Sequence, residues 1–305
     1  MSPIVSNSKI APSPGGRPPV AVELAPDGAL AAALPGPGQA PVFAFEQLPA
    51  GALVPSITEP NLRAPEAVAR AIRTALDQVS PRSRSVTLVL PDIVVRVFVL
   101  DFDSLPPKAA EAFPVLRFRL RKMVPFDVEH AGLSYQVLVQ TKTECKVLVA
   151  ILPGPILAEY EMAVREAGYE PGAVLPSSLA AIESIDSMEA ILGANLSPMA
   201  LTTFITNGQD LLLYRTLDLP DDIGQRLNEV QRGIAVAAAY YEDKLQAKPA
   251  RLHYSGISGA REFGRWVADP TLTVVDLAPR PETGAATSLG VTSVAGVSGA
   301  LAGAR

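Results

Sequence analysis

Four cations fall within six residues of the stretch RFRLRK, where they could bind phosphate groups or the acidic side chains of a partner; they are Arg117, Arg119, Arg121 and Lys122. On a helix that starts near Pro114, we expect Val115, Phe118 and Met123 to turn inward, with most of the cations outside. This pattern is most typical of a solvated face whose cations lie at a helix C-terminus, where the dipole favours them. A partner-binding surface is the second interpretation and a nucleic-acid contact the third, because no aromatic platform or further basic stripe accompanies the cluster.

The overall charge also disfavours nucleic acid as a partner. The chain has 305 residues and a net charge of -5, which gives phosphates no long-range attraction. Its one cysteine, Cys145, excludes an internal disulfide and a thiolate metal cage and is typical of a reducing compartment. Two histidines are too few to predict a metal site. Three aspartates follow strands or precede a helix, where turn and capping roles explain them best; they are Asp92, Asp101 and Asp103.

Motifs of nucleophilic and nucleotide chemistry are incomplete. GISGA around Ser258 has Ala260 where a G-x-S-x-G nucleophile elbow requires its last glycine. His253 lies two residues before Ser255, but closeness in sequence does not make a triad. The G-x-x-x-x-G-K-[ST] phosphate loop does not occur. The sequence therefore predicts neither a serine hydrolase nor a P-loop NTPase.

Both ends of the chain are poor in charge. Residues 1–18 are rich in proline, serine and glycine, which cannot form a packed face, and we interpret them as a disordered leader. The segment TSLGVTSVAGVSGALAGA carries Gly299 and Gly303 at small-xxx-small spacing but is too short and too rich in small residues to span a membrane. We predict a helix that starts near Thr287 and packs tightly inside the core.

Hydrophobic periodicity predicts alternating strands and helices. The strands are predicted at 20–24, 29–34, 41–48, 85–90, 93–102, 133–140, 145–152, 199–206, 209–219, 250–255 and 274–277. The helices are predicted at 65–80, 104–124, 156–168, 179–191, 222–245 and 260–267. Ser104 is the expected N-cap of the second helix, and Pro114 is expected to kink or split it. Two halves that each open with hairpins suggest two α/β lobes with mixed sheets.

The order of these segments resembles the type IV pilus inner-membrane assembly family PilM. That family has a strand, a helix, an "IPF" segment and an acidic stretch before "YQV", and this chain has VPFD at 124–127 and YQV at 135–137. The likeness continues through VLVAILP, EAGYEP, the 207–215 hairpin end, AAAYYEDKL, YSGISGA and GVSGALAGAR, and so covers nearly everything after residue 19.

The resemblance implies a two-lobed, actin-like (ribonuclease H-like) α/β ATPase fold with mixed sheets, related to actin, the division protein FtsA and sugar kinases. The first lobe would cover 19–190 with a subdomain inserted at about 92–150. The second lobe would cover 191–305, and the C-terminal helix would pack back on the core. In this fold ATP lies between the lobes, held by two phosphate hairpins and a glycine turn near the adenosine.

Both phosphate hairpins depart from the family pattern. A segment like DIGSSSVK is expected at the first, but the chain has ELAPDGAL, in which Glu23 takes the aspartate position, Pro26 removes a backbone donor and Leu30 replaces a lysine. The second reads NLSPMALTTF and contains no aspartate. Phosphoryl transfer depends almost entirely on electrostatic stabilisation, so the resemblance implies a degenerate fold with weak or absent ATP hydrolysis. We expect no cofactor, although ATP with magnesium stays possible.

The glycine turn SGISGA, residues 255–260, matches the family better. It looks like the adenosine turn, but an ordinary strand-to-helix turn explains it equally well. If a nucleotide is bound, the candidate ligands are Glu23, Asp27, Gly256, Ser258 and Gly259.

In the PilM family the partner is the short cytoplasmic tail of the bitopic protein PilN, which enters a groove of the first lobe. The resemblance implies a similar contact here at Arg117, Phe118, Arg121, Val124, Pro125 and Phe126. We therefore expect a non-catalytic cytoplasmic scaffold of a type IV pilus or type II secretion machine, attached to the inner membrane through partners. Other pilus-assembly proteins and further copies of the chain are possible partners. The alternatives are a nucleotide-switched form of the same fold and a nucleic-acid or regulatory binding module.

Overall fold

The computed structural model describes residues 16–36, 38–278 and 293–304. Within these ranges the chain forms three β-sheets and seven α-helices. Fifteen of the 18 residues predicted to form a leader, 1–15, lie outside the described residues. Arg17 lies within the predicted leader, and its guanidinium pairs with the Glu183 carboxylate at 3.4 Å.

The first lobe is built on a five-stranded mixed sheet. Its strands are β1 (Val20–Ala25), β2 (Gly28–Ala33), β3 (Val42–Gln47), β4 (Ser85–Leu90) and β8 (Glu170–Pro176), in the order β3-β2-β1-β4-β8. The β1, β2 and β3 strands are antiparallel, whereas β4 and β8 run parallel to β1. One face packs on α1 (Pro65–Gln78) and α3 (Gly154–Glu166), and α4 (Ser177–Ile182) and α7 (Ala295–Ala302) cover the other.

The second lobe repeats this topology. Its strands are β9 (Ala190–Leu196), β10 (Ala200–Asn207), β11 (Asp210–Asp218), β12 (Arg251–Tyr254) and β13 (Thr273–Asp276), in the order β11-β10-β9-β12-β13. The long helix α5 (Ile223–Leu245) packs on β9 and β10, and the short helix α6 (Gly259–Phe263) packs beside β13. Counted along each lobe, both sheets have the strand order 3-2-1-4-5, with the same parallel and antiparallel pairings. The chain is therefore a two-lobed α/β protein with mixed sheets.

A small subdomain is inserted between β4 and β8. A single 3-10 turn at Asp92–Val94 leads into β5 (Arg96–Phe102), which forms a sheet of order β5-β7-β6 with β6 (Gly132–Gln140) and β7 (Cys145–Leu152). Helix α2 (Ala109–Leu120) packs on this sheet, and the two form a separate hydrophobic core for the subdomain.

The predicted helix at 179–191 is correct only for its first residues, 179–182, and wrong for the rest. Helix α4 ends at Ile182, and β9 begins at Ala190. Ile191 and Leu192 are 6% and 1% exposed, and they lie on the central strand β9 and pair with its neighbour β10. A short apolar run that is buried on both faces has no strand periodicity, which is why the sequence pattern did not distinguish it from a helix.

Helix α2 also differs from its prediction. It begins at Ala109, with Lys108 rather than Ser104 at the N-cap position, and no side chain caps it. The residue before a proline avoids the helical region, so the prolines at 106 and 107 delay the start. Pro114 neither ends nor splits the helix. It lies on the exposed side, where solvent can hydrate the carbonyl group that its missing N–H leaves unpaired.

The predicted C-terminal helix lies partly outside the described residues, since 287–292 are not among them, and α7 begins at Ala295. Buried small residues pack α7 against α4. A Cβ atom on Gly299 would overlap the carbonyl group of Ala180, so only glycine allows this approach. No helix in the described ranges is both long and apolar enough to cross a bilayer.

Candidate functional site

A cleft of about 280 Å³ lies where the two lobes meet. The β1–β2 turn of the first lobe borders it on one side, and the β9–β10 turn and the residues after β12 border it on the other. Its walls are mainly apolar and include Leu24, Pro26, Phe45, Leu196, Pro198 and Ile257. The cleft thus occupies the position at which the actin-like fold predicts a nucleotide.

A buried carboxylate, Asp92, joins the two lobes at the base of the cleft. It accepts hydrogen bonds from the backbone N–H of Ser178 at 2.9 Å, from the Ser178 hydroxyl, and from the side-chain amide of Asn195 at 3.2 Å. The Tyr214 hydroxyl adds a longer contact of 3.4 Å. Ser178 belongs to the first lobe, whereas Asn195 and Tyr214 lie on β9 and β11 of the second. Burial raises the pKa of Asp92, and the hydrogen bonds from Ser178 oppose that rise.

Glu23 on β1 extends this network. Its Oε1 accepts a 2.6 Å hydrogen bond from the Ser177 hydroxyl, whose oxygen in turn accepts the Asn195 amide at 3.3 Å. Burial raises the pKa of Glu23 to about 7; the Ser177 hydrogen bond lowers it, the negative charges of Asp92 and Asp27 raise it further, and the backbone of Val297 lowers it. Its Oε2 atom is buried and has no hydrogen-bond partner among the described residues.

The turns that would cradle phosphate groups offer few backbone donors. Pro26 in the β1–β2 turn and Pro198 in the β9–β10 turn have no N–H. The N–H of Ser197 already donates to the carbonyl oxygen of Ala200 at 2.9 Å. Among the described residues that line the cleft, none is a lysine or arginine, whereas Glu23, Asp27 and Asp92 are acidic. A magnesium triphosphate requires converging donors and cations, so these residues do not fit that group.

The glycine turn after β12 is closed by packing on β9. The N–H of Ser255 donates to Ala194 at 2.8 Å, and the N–H of Ile257 donates to Leu196 at 3.0 Å. A Cβ atom on Gly256 would lie 2.6 Å from the Leu196 backbone nitrogen, so glycine is needed here for the close approach of two chain segments.

The five predicted nucleotide ligands separate into two groups. Glu23, Asp27 and Gly256 line the cleft. Ser258 and Gly259 instead begin α6 in the left-handed conformation, with φ of 67° and 73°, and are not among the lining residues. Sequence reasoning missed the contact between Asp92 and Asn195, because no local pattern pairs residues that lie 103 positions apart.

The predicted inward face of α2 is wrong. Val115, Phe118 and Met123 are 37%, 77% and 41% exposed. The buried residues of the helix are instead Ala112, Leu116 and Leu120. The helix carries more than one set of apolar residues, and the set spaced by four residues is the one that packs on the sheet of β5, β6 and β7.

The result is an exposed apolar patch next to cations, which we call the α2 surface: Val115, Phe118, Arg121, Lys122 and Met123. Arg121 pairs with Glu129 at 2.7 Å. Arg119 and Lys122 make no ion pair with any residue that the structure describes.

The other predicted partner-binding residues are divided between surface and core. Pro125 is exposed and Phe126 is half-buried, whereas Val124 is 9% exposed and belongs to the subdomain core. Arg117 is half-buried and donates to the carbonyl oxygen of Ala131 at 3.3 Å. Of the predicted site, Phe118, Arg121 and Pro125 are therefore exposed and Phe126 is half-buried, and the α2 surface extends this accessible part to residues that were not predicted.

No group of three or more histidine, cysteine, aspartate or glutamate side chains within the described ranges could hold a metal ion.

No protein-family model matches the chain, and no curated protein matches it. Solved structures do match. The chain is similar to the PilM–PilN type IV pilus biogenesis complex, with a TM-score of 0.69 and 19% identity over 94% of this chain and 98% of that chain. It is also similar to the cytoplasmic domain of EpsL, an inner membrane component of the type II secretion system of Vibrio cholerae, with a TM-score of 0.50 and 13% identity over 89% and 92%.

These similarities define the class of the protein by its fold. The chain has the two-lobed actin-like fold, which confirms the fold predicted from the sequence. The resemblance to PilM is likewise confirmed at the level of the fold, at an identity of 19%.

Proposed function

We propose that this protein is a non-catalytic cytoplasmic scaffold of a type IV pilus or type II secretion assembly complex at the inner membrane. Its partner would be the cytoplasmic tail of a PilN-like protein, through which the scaffold attaches to the membrane. The fold likeness to the PilM–PilN complex and to EpsL supports a role in such a machine.

The cleft is the observation that carries the non-catalytic part of the proposal. Two prolines remove donors from the turns that should bind phosphates, and the lining charges in the described ranges are all acidic. The lobes are instead joined by hydrogen bonds between protein groups, through Asp92 and Asn195. A fold held closed in this way needs no nucleotide to set the position of its lobes.

The α2 surface supports the partner-binding part. Phe118 is 77% exposed, so a partner that covers it would remove a large apolar area from water, which is favourable. Val115 lies one helical turn from Phe118 and extends the same face. Lys122 next to this face would meet an acidic group of the partner. The chemistry therefore favours a tail segment with apolar anchors and at least one carboxylate.

A calorimetric titration with a synthetic peptide of the PilN-like tail from the same genome tests the proposal. We expect saturable binding to the wild-type protein. Replacing Phe118 with alanine should weaken binding at least about tenfold, because the loss of one buried aromatic side chain exceeds 1.4 kcal/mol. The matched control is Met188→Ala, which removes a side chain that is 79% exposed in the loop before β9.

The outcomes separate the proposal from its alternatives. Equal affinity of wild type and Phe118→Ala would place the tail elsewhere, and no binding at all would contradict the scaffold function. Binding only in the presence of magnesium ATP would support the nucleotide-switched form. A steep loss of DNA affinity with rising salt would instead support a nucleic-acid module.

A further inference from the structure

We propose that the cleft between the lobes binds a small organic cation, an ammonium group on a compact apolar body. This site goes beyond the proposed scaffold function, which does not require a ligand in the cleft.

The shape and walls of the cleft suit a compact apolar body. Its volume of about 280 Å³ lies just below the usual range for drug-sized ligands, so a smaller molecule would fill it. Apolar side chains enter it from both lobes: Leu24, Leu30 and Phe45 from the first, and Leu196, Pro198 and Ile257 from the second. A ligand that contacts both sets would bury most of its surface.

Two polar atoms at this cleft lack a well-formed hydrogen bond. Glu23 Oε2 and Ser255 Oγ are each buried and have no partner of hydrogen-bond geometry among the described residues. The backbone of Val297 in α7 interacts with the Glu23 carboxylate and lowers its pKa, but this interaction does not reach hydrogen-bond geometry at Oε2. Ser255 is 4% exposed and Glu23 is half-buried, and both line the cleft. Unpaired buried polar groups are rare in native proteins, and each calls for an explanation. A ligand with hydrogen-bond donors would satisfy both.

The charge of the groups that line the cleft determines which charge the ligand must carry. Glu23, Asp27 and Asp92 are the ionisable lining residues among those described, and all are acids. Asp92 already accepts several hydrogen bonds, so Glu23 is the carboxylate that can receive a further donor. An anion would face a lining whose ionisable groups are all acidic, whereas an ammonium group would pair with the ionised Glu23 carboxylate in a site of low dielectric.

Three probes of nearly equal shape test the proposal: benzylamine, benzyl alcohol and benzoate, each titrated into the full-length protein with saturation-transfer NMR as readout. We expect benzylamine to bind at least about tenfold more tightly than benzyl alcohol and benzoate not to bind, since only the ammonium group forms a charge-assisted hydrogen bond. Equal affinity of the amine and the alcohol, or binding of benzoate, would overturn the proposal.

The pH dependence identifies the carboxylate. Benzylamine stays protonated from pH 6 to pH 8, whereas Glu23, with a pKa of about 7, goes from roughly one tenth to nine tenths ionised. Affinity should therefore rise about tenfold over this interval. A flat profile would contradict the assignment.

Two variants complete the test. Glu23→Gln should weaken the binding of benzylamine at least about tenfold and abolish the pH dependence of its affinity. The control Asp186→Asn, at an exposed position outside the cleft, should change neither the affinity nor its pH dependence. Ser255→Ala provides an independent arm, with a smaller loss of about threefold expected from one neutral hydrogen bond. Unchanged affinity in both cleft variants would exclude this site. The tail peptide should bind equally with and without benzylamine, so failure here is distinct from failure of the scaffold proposal.

Discussion

Removing the charge of Glu23 should stabilise the protein at neutral and basic pH. The carboxyl group is placed between the lobes near Asp92 and Asp27, and no cation that the structure describes lines the cleft around it. In Glu23→Gln the amide oxygen can still accept the hydrogen bond from Ser177, which is 2.6 Å long in the wild type. The variant therefore changes mainly the ionisation of this position.

The expected magnitude follows from the pKa. Burial raises the pKa of Glu23 from 4.5 to about 7, so the folded state binds its proton more tightly than the unfolded state. The stability contributed by this proton is fully present below about pH 4.5 and is lost as the pH rises through about 7. Between pH 5 and pH 8 the loss amounts to about 2.5 kcal/mol, at 1.36 kcal/mol for each pKa unit. Glutamine cannot ionise and avoids this loss.

Urea denaturation of wild type and Glu23→Gln at pH 5 and pH 8 measures the effect. The free energy of unfolding of the variant, relative to wild type, should increase by about 2.5 kcal/mol between the two pH values. Any effect of the amide group on stability that does not depend on pH cancels when the values at the two pH values are subtracted. Asp186→Asn, at an exposed position, should give no such increase. A difference that stays within about 0.5 kcal/mol would refute the argument that Glu23 is buried and ionises with difficulty.

Four further substitutions test the contact between the lobes, the packing of α7 on α4 and the two faces of α2. Asn195→Ala removes the amide that joins the lobes and should lower the free energy of unfolding by about 1–3 kcal/mol in urea denaturation. Gly299→Val would force α7 away from the Ala180 carbonyl group, so limited proteolysis should cleave the C-terminal segment faster than in wild type. Leu120→Ala should cost about 2–5 kcal/mol of stability, whereas Phe118→Ala should cost less than about 0.5 kcal/mol.

Each of these has a contradicting result. An unchanged free energy of unfolding in Asn195→Ala would mean that the amide does not hold the lobes together. Proteolysis of Gly299→Val at the wild-type rate would show that α7 tolerates a side chain at this contact. Equal losses for Leu120→Ala and Phe118→Ala would contradict the orientation of α2.

Strong local signals in the sequence predicted most elements of the fold. The Asn207–Gly208 pair predicted a hairpin, and β10 and β11 form one, but its two turn residues are Gly208 and Gln209, because Asn207 ends β10 and pairs with Asp210. Gly208 has a positive φ of 57°, which glycine adopts without strain. Asp222 caps α5 by accepting a hydrogen bond from the Gln225 N–H at 2.9 Å. The repeated order of hairpins, helices and strands in the two halves indicated two lobes.

The sequence was misleading where tertiary contacts outweigh local pattern. Periodicity alone allows several apolar faces on α2, and the choice of Leu116 and Leu120 depends on the sheet β5–β7 that covers them. The family resemblance predicted a cleft between the lobes, and three of the residues named for it, Glu23, Asp27 and Gly256, do line it. Its hydrogen-bond network could not be predicted, because Glu23, Asp92 and Asn195 come from distant segments that only the closed fold brings together.

The most direct test of the scaffold account is a calorimetric titration of the PilN-like tail peptide with and without magnesium ATP. We expect saturable binding with the same affinity in both conditions, since the lobes are joined by protein groups rather than by a nucleotide. Binding that requires ATP, or no binding in either condition, would contradict it.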